Sequence, residues 1–282
     1  MTGKVYVIVK EGLGNQLFQL AYGLWQADGD IDRVVLDTSS YARSNQHGGY
    51  ALRQLFGEAR LAAVQSDTLN LHQVPRATWV NFNRNSDLFL EDLKPLLGKT
   101  TLVAEGWFQH YAYVAPNIER LRSWFRASAI AIDADDQAFF DSHTVVGVHI
   151  RLNDYLNPQN RQRYGLVDLK AMNQEISRVV AGVQSQRPVK LVAFSDGQVD
   201  GRFDRKYMRS AQPTIDGDIR TLKLISLCDH LICSNSTFGL WAGYLSDRVR
   251  TMSLPAKWMR TPNRSAAPLL PPNGQLYANE LV

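Results

Sequence analysis

Short apolar runs recur along the chain: Val5–Val9, Val34–Asp37, Val145–Ile150, Val189–Phe194, Leu231–Cys233 and Val249–Leu254. Several are apolar throughout rather than alternating, the pattern of strands covered on both faces. Between them the spacing becomes helical. Asn15–Gln26 sets Leu17, Leu20, Ala21 and Leu24 on one stripe. Leu169–Val183 does the same with Met172, Ile176, Val179 and Val180, and Asp218–Cys228 with Ile219, Leu222 and Ile225. Strands alternating with helices predict an α/β protein with parallel sheets. A chain of 282 residues has room for two such units. The Asp- and Ala-rich stretch Ala127–Thr144 is the expected boundary, giving units of residues 1–140 and 141–282. Prolines 255, 262, 268, 271 and 272 predict a tail of loop and extended chain over the surface.

Composition narrows the classes. Hydrophobic residues at 45% and charged residues at 21% exclude disorder, collagen and coiled coil. Lys and Arg (31) exceed Asp and Glu (27) by 4, and they are scattered. That argues against a nucleic-acid partner, yet suits a ligand carrying a few negative charges. Cys228 and Cys233 cannot form a disulfide framework and read as buried thiols in a reducing compartment. No stretch approaches the ~20 apolar residues of a membrane span. The run at Val5 is too short for a signal-peptide core. The expected location is a bacterial cytoplasm, with membrane contact at most peripheral. No His/Cys spacing fits zinc, and no Gly-x-Ser-x-Gly nucleophile is present.

Four constellations follow predicted strands. Glu11-Gly-Leu-Gly-Asn-Gln-Leu-Phe18 opens a helix. Its glycines, Gly14 among them, permit a close ligand approach, and Asn15 and Gln16 add donors. The plainer reading is a strand–helix turn with Asn15 as a cap. His149, Arg151, Asp154 and Tyr155 close the run Val145–Ile150. An arginine there needs an anion: a diphosphate, or merely Asp154. Phe194-Ser195-Asp196-Gly197 is either a ribose or guanine acceptor, or a hydrogen-bonded turn. Asn235-Ser236-Thr237-Phe238 caps an apolar helix, where hydroxyls and helix N–H groups suit phosphate and Phe238 suits a base. A weaker cluster, Glu105–Tyr111, holds Trp107 and Gln109, residue types that pack on sugar rings and bond hydroxyls, or that form an aromatic core turn.

These four clusters, in this order, resemble the α-1,2-fucosyltransferases of glycosyltransferase family 11. Gly12–Gln19 matches the opening Gly-Leu-Gly-Asn-Gln-Leu-Phe-Gln stretch. His149, Arg151, Asp154 and Tyr155 match His-x-Arg-Arg-Gly-Asp-Tyr, and Phe194–Asp196 matches Phe-Ser-Asp-Asp. Asn235–Phe238 with Trp241 matches Asn-Ser-Thr-Phe-Ser-Trp-Trp, and Gly106–Gln109 a Gly-Tyr-Trp/Phe-Gln element. The chain departs from the pattern at Leu152, Asn153, Gly197, Gly239 and Leu240. The resemblance implies a GT-B architecture, two Rossmann-like halves facing a cleft, the first on the acceptor side and the second binding GDP-β-L-fucose. It also implies inversion at the anomeric carbon, transfer to a glycan hydroxyl (O2 of galactose), and neither metal nor other cofactor.

On that reading Arg151 stabilises the leaving diphosphate, assisted by His149, Ser236 and Thr237. Asp196 and Phe238 hold the guanosine, with Ser195 and Asn235 in the same donor site. Asp154 orients Arg151 or helps the attacking hydroxyl. Gly14, Asn15 and Gln16 lie near fucose, and Trp107 and Gln109 near the acceptor. No general base is assigned. The alternatives are another fucosyl linkage, or a nucleotide-sugar or glycan-binding module without turnover.

Overall fold

The computed structural model describes residues 3–42, 49–61, 65–66, 77–81, 100–199, 203–210 and 212–282. The chain divides into two units, Met1–Ala129 and Ile130–Val282. The division falls inside the predicted stretch but before residue 140. The reason is the helix that follows. Its Asp136 carboxylate takes Arg205 at 2.9 Å and its N-cap Asp133 takes Arg220 at 2.8 Å, so it packs with the second unit.

In the first unit the order is β1 (Val5–Ile8), α1 (Leu13–Gln26), β2 (Val34–Asp37), α2 (Leu52–Phe56), α3 (Glu58–Leu61), β3 (Gln65–Ser66), β4 (Ala77–Asn81), β5 (Thr101–Glu105), α4 (Tyr111–Val114) and α5 (Ile118–Arg126). The strands form a parallel sheet ordered β3-β2-β1-β5-β4. β1 lies between β2 and β5, and its Val5 and Val7 are fully buried. The spacing of α1 predicted one apolar stripe, but nearly the whole helix is buried, Gln16 and Gln19 included. Those amides go inside because they are hydrogen-bonded there, which offsets the cost of removing them from water. Tyr22 of α1 stacks on Phe108 with ring centroids 3.9 Å apart, and Tyr113 meets Tyr22 edge-on at 5.2 Å.

The second unit runs α6 (Ala134–Ser142), β6 (Thr144–Ile150), α7 (Pro158–Tyr164), α8 (Leu169–Gly182), β7 (Val189–Ser195), β8 (Arg205–Met208), α9 (Ile215–Ser226), β9 (His230–Cys233), α10 (Thr237–Leu245), β10 (Thr251–Pro255), β11 (Lys257–Met259), β12 (Arg264–Ser265) and β13 (Gly274–Tyr277). A parallel sheet ordered β13-β10-β9-β6-β7-β8 carries it. Every residue of β6 is buried, as its unbroken apolar run requires. Helix starts follow cap chemistry: Asp168 accepts from the Ala171 N–H at 2.7 Å, and Thr214 from the Gly217 N–H at 3.1 Å. β8 escaped the sequence pattern because it is a half-exposed edge strand with charged positions.

The tail is the loop and extended chain expected of it, and parts of that extended chain are ordered as strands. β11 and β12 pair antiparallel, and β13 adds a parallel edge strand beside β10. The Tyr277 hydroxyl donates to the Cys233 carbonyl at 2.8 Å, tying that strand to the centre of the sheet.

Gly147 lets β6 approach Cys228, which follows the end of α9. A Cβ placed there would lie 2.4 Å from the Cys228 Sγ, in a fully buried site. Gly147→Ala is therefore expected to destabilise the unit by about 1–3 kcal/mol in urea denaturation. Adding Cys228→Ala should recover part of that loss, a favourable coupling read from a double-mutant cycle.

Candidate functional site

At the carboxyl end of β6 the parallel register does the assembling. Ile150 is paired with Ser195 of β7, and His149 with Cys233 of β9. The residues just beyond these pairs, Arg151, Asp196 and Ser234, are thereby brought together. Carboxyl ends of parallel strands are where open α/β sheets place ligands.

The Arg151 guanidinium is held by two carboxylates. It donates to Asp154 Oδ2 at 2.7 Å and pairs with Asp196 Oδ2 at 3.1 Å. Its backbone N–H donates to Ser234 Oγ at 3.0 Å, and the Tyr155 ring lies 6.0 Å from the guanidinium carbon. Burial alone would lower the Arg151 pKa, but hydrogen bonding and charge from Asp154 and Asp196 more than offset it, so the group is held charged. The Asp154 side chain is 31% exposed and that of Asp196 only 6%.

Asp196 does something the sequence did not reveal. Its Oδ1 accepts from the backbone N–H groups of Leu152 and Asn153 at 2.6 and 3.2 Å. With Oδ2 on Arg151, the carboxylate is committed to the loop after β6 and to the arginine. Asp196 thus positions Arg151, a part added to the guanosine contact expected of it. Ser195 is likewise local, its Oγ accepting from the Gly197 N–H at 3.2 Å. Asn235 is buried, and its Nδ2 donates to the carbonyls of Tyr164, Gly165 and Trp258 at 3.1–3.2 Å. The Tyr155 hydroxyl donates to the Asn235 carbonyl at 2.9 Å. The Nδ2 of Asn235 thus braces the chain behind the site, while its Oδ1 is buried without a hydrogen-bond partner among the described residues.

His149 is 6% exposed and its Nδ1 has no hydrogen-bond partner. Burial, then the nearby Arg151 charge, pushes its pKa down to about 3. It is neutral at pH 7, so the assistance expected of it takes the form of a hydrogen bond rather than a positive charge. Its ring packs against α10, where a Cβ on Gly239 would meet it at 2.7 Å. Glycine at this position lets the helix start close to the strand. The unfolded chain protonates His149 near 6.5 and the folded chain only near 3. Between those values the unfolded state binds more protons, so stability falls with decreasing pH, by up to about 1.4 kcal/mol per unit. His149→Gln is expected to flatten that slope in denaturation curves taken from pH 6.5 to 3.5.

Ser236 is the N-cap of α10, in extended backbone conformation, and its side chain makes no cap hydrogen bond. Thr237 and Phe238 are half-buried, and the Phe238 ring lies 5.8 Å from that of His149. A helix N-terminus bearing two hydroxyls is suited to an anion.

Two departures from the quoted pattern touch each other. A Cβ on Gly197 would lie 3.1 Å from Leu152 Cβ and 3.0 Å from Asn153 Oδ1. An arginine at 152 and an acid at 197 are thus replaced together by a close, largely uncharged contact.

The first constellation lies in the other unit. Glu11 follows β1 with φ +68°, a left-handed conformation that costs a non-glycine residue roughly 1–2 kcal/mol. Its carbonyl accepts from Gln16 Nε2 at 2.8 Å and from the Tyr41 hydroxyl at 2.7 Å. Asn15 Nδ2 donates to Glu11 Oε2 at 2.8 Å, and Asn15 Oδ1 accepts from Gln109 Nε2 at 3.0 Å. The expected pair Asn15 and Gln109 is therefore brought together, with Glu11 as a third member that the motif reading passed over. Gly14 lies within the first turn of α1, whose N-cap is Gly12. Gln16 does not serve as expected. Its Nε2 donates to the Glu11 and Gly49 carbonyls and its Oε1 accepts from Ala51 N–H, so it is a fully buried brace. Trp107 is only 6% exposed and offers little face to a sugar, the aromatic-turn outcome. Among the described residues, no helix is long and apolar enough to cross a membrane, and no three His, Cys, Asp or Glu converge.

Comparison with known proteins agrees with this architecture. The sequence pattern of Glycosyl transferase family 11 matches residues 106–267. An α-1,2-colitosyltransferase of Escherichia coli is 21% identical over 253 residues, covering 84% of this chain and 85% of that one. A crystal structure of NodZ α-1,6-fucosyltransferase co-crystallised with GDP aligns at a TM-score of 0.50 and 17% identity, covering 89% of this chain and 94% of that one. An Arabidopsis thaliana FUT1 variant in complex with GDP aligns at 0.48 and 14% identity, covering 89% and 70%. The fold class is α/β, of the GT-B type, with two Rossmann-like units.

Proposed function

The chain belongs to glycosyl transferase family 11, and from that premise we propose that it moves L-fucose from GDP-β-L-fucose to O2 of a galactose unit in a glycan, with inversion. The observation that carries this is Arg151, a buried, charged fork at the carboxyl end of a parallel sheet, beside a helix N-terminus with two hydroxyls. In the step, the bond between the sugar C1 and the β-phosphate oxygen breaks, and the electron pair leaves on GDP. The acceptor oxygen bonds C1 from the opposite face and loses its proton to solvent water. Arg151 neutralises the charge arriving on the diphosphate, and Ser236, Thr237 and the first N–H groups of α10 share that task. Neither metal nor other cofactor has a part in this mechanism.

Asp154 is the carboxylate that must yield when phosphate arrives. It is the more exposed of the two partners, whereas Asp196 is fixed by backbone N–H groups. Phe238 stacks on the guanine. Asn15 and Gln109 bind acceptor hydroxyls. An α-1,2 linkage is supported by the activity of the E. coli relative. That relative also favours a second reading, in which the donor sugar is colitose, which is L-fucose without its 3-hydroxyl.

Calorimetry with GDP and UDP, followed by transfer from GDP-fucose and GDP-colitose to an acceptor panel with NMR of the product linkage, tests these points. Tighter binding of UDP than GDP removes the donor assignment. A linkage other than α-1,2 removes the finer half of the proposal. Binding without turnover on any acceptor identifies a binding module instead.

A further inference from the structure

Asn235 stands immediately before Ser236, the N-cap of α10, and its Nδ2 is held by the carbonyls of Tyr164, Gly165 and Trp258. Those carbonyls come from two separate segments, the end of α7 with its C-cap and the middle of β11. The helix has seven residues and the strand three. Elements so short keep their shape only against neighbours. Both segments lie against the same stretch of chain, Asn279–Val282.

At Lys257, next to Trp258, the Asn279 side chain meets both backbone groups. Its Oδ1 accepts from the Lys257 N–H at 2.8 Å and its Nδ2 donates to the Lys257 carbonyl at 3.2 Å. At the loop after α7, Leu166 and Val282 exchange backbone hydrogen bonds of 3.0 and 2.9 Å. The Asp168 N–H donates to the Glu280 carbonyl at 3.1 Å, and the Glu280 N–H to Asp168 Oδ2 at 2.9 Å. Leu281 lies directly on Gly165, where φ is +69° and a Cβ would come 2.6 Å from Leu281 Cβ. Glycine is what allows that approach. The Leu281 side chain also packs against the core cluster that holds Val146 and Met172.

The same loop reaches the arginine by a second route. Tyr164 stacks on Tyr155 with ring centroids 5.0 Å apart, and the Tyr155 ring lies 6.0 Å from the Arg151 guanidinium carbon. The start of α10 and one side of Arg151 therefore both rest on backbone that Asn279–Val282 holds in place. Donors aimed at a developing charge act only if they are fixed beforehand.

We infer that Asn279–Val282 is a positioning strap for the diphosphate site, with Asn279 and Leu281 as positioning residues that act chiefly through Asn235. This rests on the function proposed above.

The test compares the full chain as wild type, Leu281→Ala, Leu281→Met, Asn279→Ala and Gly147→Ala, below the melting temperature of each. The readouts are GDP calorimetry and transfer from GDP-fucose. Gly147→Ala serves as the control for a stability loss away from the strap. Leu281→Ala and Asn279→Ala are expected to raise the GDP Kd about threefold or more, the size seen when coupling passes through packed side chains. Both should lower kcat while the acceptor KM stays within about twofold. Leu281→Met keeps the volume and should recover most of the affinity. Gly147→Ala should bind GDP as the wild type does, despite its lower melting temperature. In an Asn235→Ala background, Leu281→Ala should change the GDP Kd less than it does alone. Wild-type GDP affinity in both strap variants overturns the inference. So does an equal loss of affinity in Gly147→Ala, which would make the effect one of stability, and so does full additivity with Asn235→Ala. If the wild type binds no GDP, the proposed function fails and this inference with it. If the wild type binds GDP and the strap variants match it, only the inference fails.

Discussion

Arg151→Ala is expected to lower the transfer rate by about 10²–10³-fold, the usual effect of removing one preorganised donor from a site where charge develops. The loss should fall mainly on kcat, because the guanidinium matters most when the diphosphate departs. Arg151→Lys should recover little. A lysine carries a point charge, whereas this site uses a planar fork with one edge on Asp196 and the other on Asp154. Initial rates with labelled GDP-fucose at saturating acceptor measure the effect. Wild-type rates in both variants would remove Arg151 from the mechanism. Deleting the arginine also leaves two carboxylates near one another without their cation. Thermal melting of the same variants therefore separates a chemical loss from a folding one, and Arg151→Lys is the better folded control.

Asp196→Ala is expected to have the second largest effect, on stability and donor binding together. The change removes the acceptor of two backbone N–H groups, Leu152 and Asn153, and one of the two partners of Arg151. Breaking a buried pair and leaving donors unsatisfied costs about 3 kcal/mol or more. The loop after β6 then loses its anchor and Arg151 its direction, so the GDP Kd should rise at least tenfold. Asp196→Asn separates the two losses. It keeps an oxygen for the backbone N–H groups but faces Arg151 with an N–H, so stability should suffer less than GDP affinity. Urea denaturation and calorimetry provide both readings. An Asp196→Ala protein with wild-type stability and GDP affinity would show that the carboxylate does not position the arginine.

Much of the candidate site could be read in the sequence because its members sit at strand ends, which local pattern marks well. The apolar run Val145–Ile150 ends, and His149 and Arg151 mark the place. Roles were less legible. Asp154 and Asp196 look alike as letters, yet one is 31% exposed and the other is 6% exposed and committed to backbone N–H groups. Gln16 and Asn15 are adjacent in a helix and therefore point in different directions. One braces the interior and the other joins Gln109. Glu11 was passed over because a left-handed backbone at a glutamate leaves no mark in the letters.

The sequence by itself determined where strands β1, β2, β6, β7, β9 and β10 and helices α1, α8, α9 and α10 fall, that the two large sheets are parallel, and the order of the motifs. These follow from periodicity, caps and glycine placement, which act over a few residues. Tertiary structure alone decided which polar groups meet. The register of β6 between β7 and β9 sets Arg151 beside Asp196 and Ser234, 45 and 83 positions away by subtraction of their numbers. Parallel pairing also made the tail an edge strand, through contacts that no local pattern of Gly274–Tyr277 announces. Partners so distant in the chain are chosen by which backbones lie side by side, and that is a property of the packed sheet.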